Sequence, residues 1–199
     1  MINSTSDKKS EFQAKIFDDF ISVEDAKILV DFCQNAIDWR SIPNSFWDSR
    51  TINFHAIKNK SVRCGEILET AIKKMQHTLI DAYSLDRRPF ADTADVVRWF
   101  VGMQQHPHAD DMSNNQEQHK RFGHRYFGCV IYLNDDYDGG STFYPLHNFS
   151  VKPKAGRLAV HLGDQNHLHG VTKVEKNTRY TFASFWGFDE NKKQSGVVW

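Results

Sequence analysis

Neither sign of charge dominates this 199-residue chain: 25 Lys and Arg offset 25 Asp and Glu, so the formal charge at pH 7 is zero. That removes the basic field that drives nucleic-acid binding and the acidic tail of a solvating segment. Cysteine is sparse as well. Cys33, Cys64 and Cys129 are odd in number, far apart and in no CxxC pair, which argues against a disulfide framework or a thiolate zinc site. With 11 Gly and 5 Pro, the composition is neither collagen-like nor low-complexity. No apolar run approaches the ~18 residues of a membrane span, and MINSTSDKKSEFQ lacks the hydrophobic stretch of a secretory signal. A cytoplasmic protein without membrane or nucleic-acid partners is the expectation. What is present is a hydrophobic share of 40% that includes 15 Phe, enough for one domain of this length to bury roughly 70% of its unfolded surface.

Residues 1–13 are polar and patternless and read as a mobile tail. Ser22 stands three before Asp25, and Ala26, Leu29, Phe32, Cys33, Ala36 and Ile37 then recur at helical spacing. A second stripe, Ile67, Leu68, Ala71, Ile72, Met75, Leu79 and Tyr83, predicts a helix over about 60–84, separated from the first by a segment with Pro43, Asn44 and Asn53. From Asp95 the texture changes to short β-branched and aromatic runs such as DVVRWFVGM, RYFGCVIYL and RYTFASFWGF. The expectation is a single domain over 14–199, mainly β with N-terminal helices. Helical support over 14–94 buttresses an antiparallel jelly roll over 95–187, and 188–199 forms a C-terminal tail.

Eight of the ten histidines fall between His106 and His169. In QHPHADD, side chains two apart in extended chain share a face, so His108 and Asp110 can address one ion. GDQNHLHGV supplies a second imidazole, His169, and two histidines with one carboxylate make the facial triad of non-haem Fe(II) oxygenases. A lone HxD also arises by chance in solvated loops. Ten residues beyond His169, Arg179 opens a strand whose alternation puts Thr181, Ala183 and Phe185 on its face; the guanidinium fork there suits a dicarboxylate. On RYFGCVIYLN, Gly128, Val130 and Tyr132 share a face, and Tyr132 reads equally as a donor to that anion or as a core tyrosine.

In order and spacing, VVRWFVGMQQHPHAD, YLNDDYDGGSTFYP, AGRLAV and HGVTKVEKNTRY together resemble the 2-oxoglutarate, Fe(II)-dependent dioxygenases of the prolyl 4-hydroxylase-like branch, over about 96–186. The resemblance implies a double-stranded β-helix (jelly roll), with His108, Asp110 and His169 binding iron. It also implies that Arg179 and Tyr132 hold the distal carboxylate of 2-oxoglutarate and that Thr142 lines the pocket. The cosubstrates would be 2-oxoglutarate and O2, with ascorbate as reductant and succinate and CO2 as products, and the substrate a prolyl residue in a peptide or protein. Asn177 stands where many members carry glycine, and Arg179 where collagen-type enzymes carry lysine.

Other readings stay open at this point: a metal-binding cupin-like jelly roll, a zinc site from His106, His108, His167 and His169, and a relative acting on a small molecule. A nucleic-acid demethylase is disfavoured because Phe185 stands where a second arginine is needed. His161 reads as packed or pocket-lining, the 112–124 stretch as a solvated loop, and that loop and 43–48 as segments able to close over substrate.

Overall fold

The computed structural model describes residues 12, 14–113, 115–197 and 199; the tail expected over 1–13 lies outside these except for Phe12. In chain order the elements are β1 (Lys15–Phe17), α1 (Val23–Asn35), β2 (Thr51–Asn53), α2 (Phe54–Lys60), α3 (Val62–Tyr83), β3 (Phe90–Trp99), β4 (Gln105–His108), α4 (Gln116–Phe122), β5 (Phe127–Tyr132), β6 (Asp138–Gly139), β7 (Thr142–Tyr144), β8 (Phe149–Val151), β9 (Leu158–Leu162), β10 (His169–Val171), β11 (Val174–Lys176) and β12 (Arg179–Gly187). A six-stranded sheet runs β1-β9-β5-β12-β3-β2, facing a four-stranded sheet β4-β10-β7-β8, and β11 pairs with β6 alone. Every pairing is antiparallel, so the jelly roll read from the sequence is the observed fold. No helix among the described residues is long and apolar enough to cross a membrane.

The helices form where the caps and stripes place them. Ser22 caps α1 by accepting from the Asp25 amide. The α3 stripe, Ile67, Leu68, Ala71, Ile72, Met75 and Leu79, is buried against one face of the larger sheet, together with Val96, Ile131, Val160 and Phe182. Burial of such side chains contributes about 1.5–3 kcal/mol each, which fixes the helices as a backing layer. Alternation along β12 sends Phe182 and Trp186 to this core and Arg179, Thr181, Ala183 and Phe185 to the opposite face.

The structure departs from the sequence reading in several places. Ile37 is exposed because α1 ends at Asn35 and Ala36 turns to extended backbone (φ −76°, ψ 138°). The 112–124 stretch is not wholly loop: Asn115 accepts from the Gln118 amide and starts α4. The short elements β1, β2 and α2 were not foreseen. The glycine pair at 139–140 does not turn a hairpin. Both residues have positive φ, 72° and 61°, but β6 pairs with β11 whereas β7 pairs with β10 and β8, so the pair carries the chain from one sheet to another. The described residues of 188–199 pack back onto the domain, with Val197 buried and the Trp199 ring against Phe90 and Trp186. Asn177 takes the left-handed conformation its glycine-like place requires, φ 57°.

Candidate active site

β4 and β10 lie side by side, and their register sets His108 directly opposite His169. Asp110 follows two residues after His108, where the chain leaves β4. The result is a cluster in which one ligand atom each from His108, Asp110 and His169 lies within 4.8 Å of the others. Both Nε2 atoms approach Asp110 Oδ1, from His108 at 3.7 Å and from His169 at 3.6 Å. The two imidazoles are oriented the same way. Nδ1 of His108 bonds the His106 carbonyl at 3.1 Å and Nδ1 of His169 the His167 carbonyl at 3.2 Å. Each Nδ1 therefore carries the hydrogen, and Nε2 keeps its lone pair for a metal. Burial works against the Asp110 carboxylate, yet the neighbouring imidazoles, His169 first, hold its pKa well below the usual range. Burial, reinforced by the charge of His161, drives the His169 pKa far down. A monoanionic set of two imidazole nitrogens with free lone pairs and one carboxylate oxygen is what divalent iron takes, with positions left open for other ligands.

Beyond this cluster one cavity runs between the sheets, with His108, Asp110, His169, Thr142, Arg179, Thr181 and Ala183 among its lining residues. Arg179 is 2% exposed, its guanidinium over the rings of Trp99 (5.1 Å) and Tyr132 (5.3 Å). No acidic side chain among the described residues pairs with it. Three buried donors close to one another, Arg179 Nε, Trp99 Nε1 and the Tyr137 hydroxyl, lack a hydrogen bond of good geometry. Arg179 and Trp99 line the cavity, whereas Tyr137 stands beside Arg179 and outside that lining; buried donors without acceptors are costly, so this end of the cavity suits an anion. Burial pushes the Tyr137 phenol up, partly countered by the Arg179 charge beside it, and it stays a donor. The residues present thus fit both an Fe(II) ion and, next to it, a carboxylate-bearing cosubstrate.

The remaining candidates are placed as follows. Thr142 lines the cavity. Tyr132 is wholly buried, and its hydroxyl is engaged with Thr142 Oγ1 at 2.6 Å, so it reaches the cavity through that hydroxyl. His106 is exposed and His167 bonds Asp164 at 2.7 Å; among the described residues neither joins the metal cluster, and the four-histidine zinc site is not assembled. Trp47 lines the cavity, edge to face with Trp99, whereas none of the described residues of 112–124 does.

Tyr137 and His161 are the residues that sequence reasoning missed or undervalued. Tyr137 lies in the irregular stretch before β6, where periodicity carries no information. His161 bonds Asp110 Oδ2 at 3.0 Å. The signal that could have found it is Gly128, a glycine in the middle of a strand, which marks a close approach.

Residues 95–187 match the model of the 2OG-Fe(II) oxygenase superfamily. The "Putative prolyl 4-hydroxylase" of Acanthamoeba polyphaga mimivirus is 32% identical over 78 residues; the match covers 36% of this chain and about a third of the length of that protein (32%). Among solved structures, the viral collagen prolyl hydroxylase of Paramecium Bursaria Chlorella virus-1 superposes with a TM-score of 0.63 at 16% identity, covering 89% of this chain and 97% of that one. A Pseudomonas putida prolyl-4-hydroxylase gives 0.66 at 16% identity, covering 89% and 94%. Residues 95–187 are thus similar to the 2OG-Fe(II) oxygenase superfamily, and the chain has the fold seen in these prolyl hydroxylases.

Proposed function

We propose that this protein is an Fe(II)- and 2-oxoglutarate-dependent dioxygenase that hydroxylates a C–H bond of a prolyl residue in a peptide or protein. The observation that supports it most is the sharing of one cavity by the His108–Asp110–His169 cluster and a buried arginine with no acidic partner among the described residues. His108, Asp110 and His169 would hold the iron. Arg179 would hold the distal carboxylate of 2-oxoglutarate, with Tyr137 beside its guanidinium and the Thr142 hydroxyl, itself oriented by Tyr132, at the wall. When bound, iron and cosubstrate supply the oxidising chemistry, in which 2-oxoglutarate and O2 become succinate and CO2 as C–H becomes C–OH.

The chain's own contribution is positioning and exclusion of water. Two imidazoles pinned by backbone carbonyls and a carboxylate pinned by His161 would present their ligand atoms together to the ion. The guanidinium, over the Trp99 ring at 5.1 Å and almost wholly buried, has little freedom to reorient. On the substrate side Trp47, Val97, Trp99, Val171 and Phe185 give largely apolar walls, suited to a saturated ring rather than a charged side chain. The relatives of like fold are named as prolyl hydroxylases, which favours the same substrate class. The test is succinate formation from 2-oxoglutarate with a panel of proline-containing peptides and free amino acids, with the product located by mass spectrometry. Hydroxylated proline in a peptide supports the reading; coupled turnover only with a free small molecule overturns the substrate class.

A further inference from the structure

We propose that His161, oriented by Tyr144 and admitted by Gly128, is a positioning residue that fixes the Asp110 carboxylate as a one-oxygen ligand. This rests on the metal reading above and adds to it residues outside the ligand set. Asp110 presents Oδ1 to the two ligand histidines and turns Oδ2 away, to His161 Nε2 at 3.0 Å. On its other side the His161 ring meets the Tyr144 hydroxyl, Nδ1 to oxygen, at 2.9 Å. A carboxylate oxygen only accepts, so Nε2 donates to Oδ2, and in the tautomer with that single hydrogen Nδ1 accepts from Tyr144. The chain Tyr144–His161–Asp110 is buried throughout, with His161 1% and Tyr144 1% exposed. The His161 ring also packs on His169, centroids 4.0 Å apart.

The geometry is paid for by an absent side chain. β5 and β9 set Gly128 opposite His161, and a Cβ at 128 would fall 2.3 Å from Asp110 Oδ2 and 2.4 Å from His161 Nε2. Any larger residue there would push the pair apart. Glycine costs a strand stability, and here its absence of bulk is what lets the imidazole reach the carboxylate. With Oδ2 held, Asp110 cannot swing to bind through both oxygens, and a further coordination position stays open for cosubstrate or O2.

The test titrates metal-free protein with Co(II) alone, following heat and the visible d–d bands, with circular dichroism to verify folding. His161→Phe should weaken Co(II) binding by about 10- to 100-fold, the range for loss of such outer partners, and alter the bands. His161→Gln retains an N–H able to donate to Oδ2 and should recover most of the affinity, which a merely space-filling role would not predict. Tyr144→Phe keeps the buried ring and should act in the same direction by several-fold, so it decides the matter if His161→Phe does not fold. Gly128→Ala should resemble His161→Phe in its bands. Wild-type affinity and unchanged bands in His161→Phe, or in folded Tyr144→Phe, would overturn the proposal alone. A wild type that takes up no Co(II) would overturn the metal reading, and the proposal with it.

Discussion

Replacing Arg179 with methionine separates a ligand anchor from a structural arginine, because the two roles predict opposite changes in stability. In the free protein the guanidinium is almost wholly buried, its Nε makes no hydrogen bond of good geometry, and its charge meets the faces of Trp99 and Tyr132, the neutral Tyr137 phenol and the like charge of Arg50. Such a cation contributes little to the free fold, and an apolar side chain of similar length should leave the melting temperature unchanged or raise it by about 2–4 °C, the equivalent of ~1 kcal/mol for a domain of this size. Cosubstrate binding should respond the other way. Charge-assisted hydrogen bonds to a carboxylate are worth roughly 1.5–3 kcal/mol, so their loss weakens 2-oxoglutarate by about ten- to a hundredfold. The assay is thermal unfolding of the anaerobic Fe(II) protein with and without 2-oxoglutarate at 100 times its wild-type Kd, about 2.7 kcal/mol of stabilisation by mass action. Wild type should gain about 5–10 °C from that ligand. A variant weakened a hundredfold keeps only about 0.4 kcal/mol of it, roughly 1 °C. Arg179→Lys should fall between, keeping the charge and losing the fork. A variant that is much less stable without ligand, or that gains as much from 2-oxoglutarate as wild type does, would refute the reasoning.

Iron affinity should survive His106→Ala and His167→Ala and be lost in His169→Ala, measured by anaerobic titration. Gly139→Val places a Cβ 1.9 Å from the Lys173 carbonyl at φ 72° and should cost about 3 kcal/mol or more in denaturant melts, whereas exposed Asp138→Ala should stay within about 0.5 kcal/mol. Gly140→Ala, at φ 61°, meets Tyr137 Cε2 at 2.8 Å and Arg179 Cδ at 2.9 Å; it should cost about 1–2 kcal/mol of stability through backbone strain and raise the 2-oxoglutarate Kd several-fold by displacing Arg179. The metal-free protein should lose stability as pH falls below about 6.5, because the unfolded chain takes up a proton that native His169 refuses, its folded pKa being depressed by burial and by His161. A second loss begins below about 3.8, where the depressed folded pKa of Asp110 leaves the unfolded chain binding more protons. His169→Gln should flatten the first of these windows in pH-dependent urea melts.

How far the sequence reached depended on whether a feature is local. The α1 cap is a three-residue relation and was legible, as were the α3 stripe and the β12 alternation that turns Arg179, Thr181, Ala183 and Phe185 to one side. The two-residue spacing of His108 and Asp110 was legible for the same reason. Strand order was not, since β6 pairing with β11 and β7 with β10 is decided by how the sheets close. Nor was Tyr132: alternation gives its face, but only the fold shows its hydroxyl bonded to Thr142. The Asp110–His161 bond joins residues 51 apart, and no periodicity spans that distance.

The same limit hid the link between the helical half and the cavity, which runs through Arg50. This second buried arginine lies over the rings of Phe46, Trp47 and Trp99 at 4.1, 5.1 and 4.2 Å. It donates to the carbonyls of Phe46 (2.9 Å) and Arg98 (3.3 Å), while its second terminal nitrogen has no partner. Burial, helped by the charge of Arg179, lowers its pKa to about 10, so it is still cationic at pH 7. The bond to Phe46 ties the loop that carries Trp47 to the Arg98 backbone of β3, holding Trp47 at the cavity wall. Its net contribution to stability is small, because two charged hydrogen bonds and the ring contacts of about 0.5–2 kcal/mol each are set against desolvation of an uncompensated charge. Arg50→Met should therefore lower stability by less than about 2 kcal/mol. Hydrogen exchange at the Asp48 and Arg50 amides, which donate to Ser45 and Trp47, should quicken as the loop loosens. Peptide KM should rise several-fold as the Trp47 wall becomes mobile, with the 2-oxoglutarate affinity of the Fe(II) protein within about twofold of wild type, since the anion is held by Arg179. Equal weakening of peptide and cosubstrate would place Arg50 in the anion site instead, and unchanged exchange at these amides would show that the loop is held by other contacts.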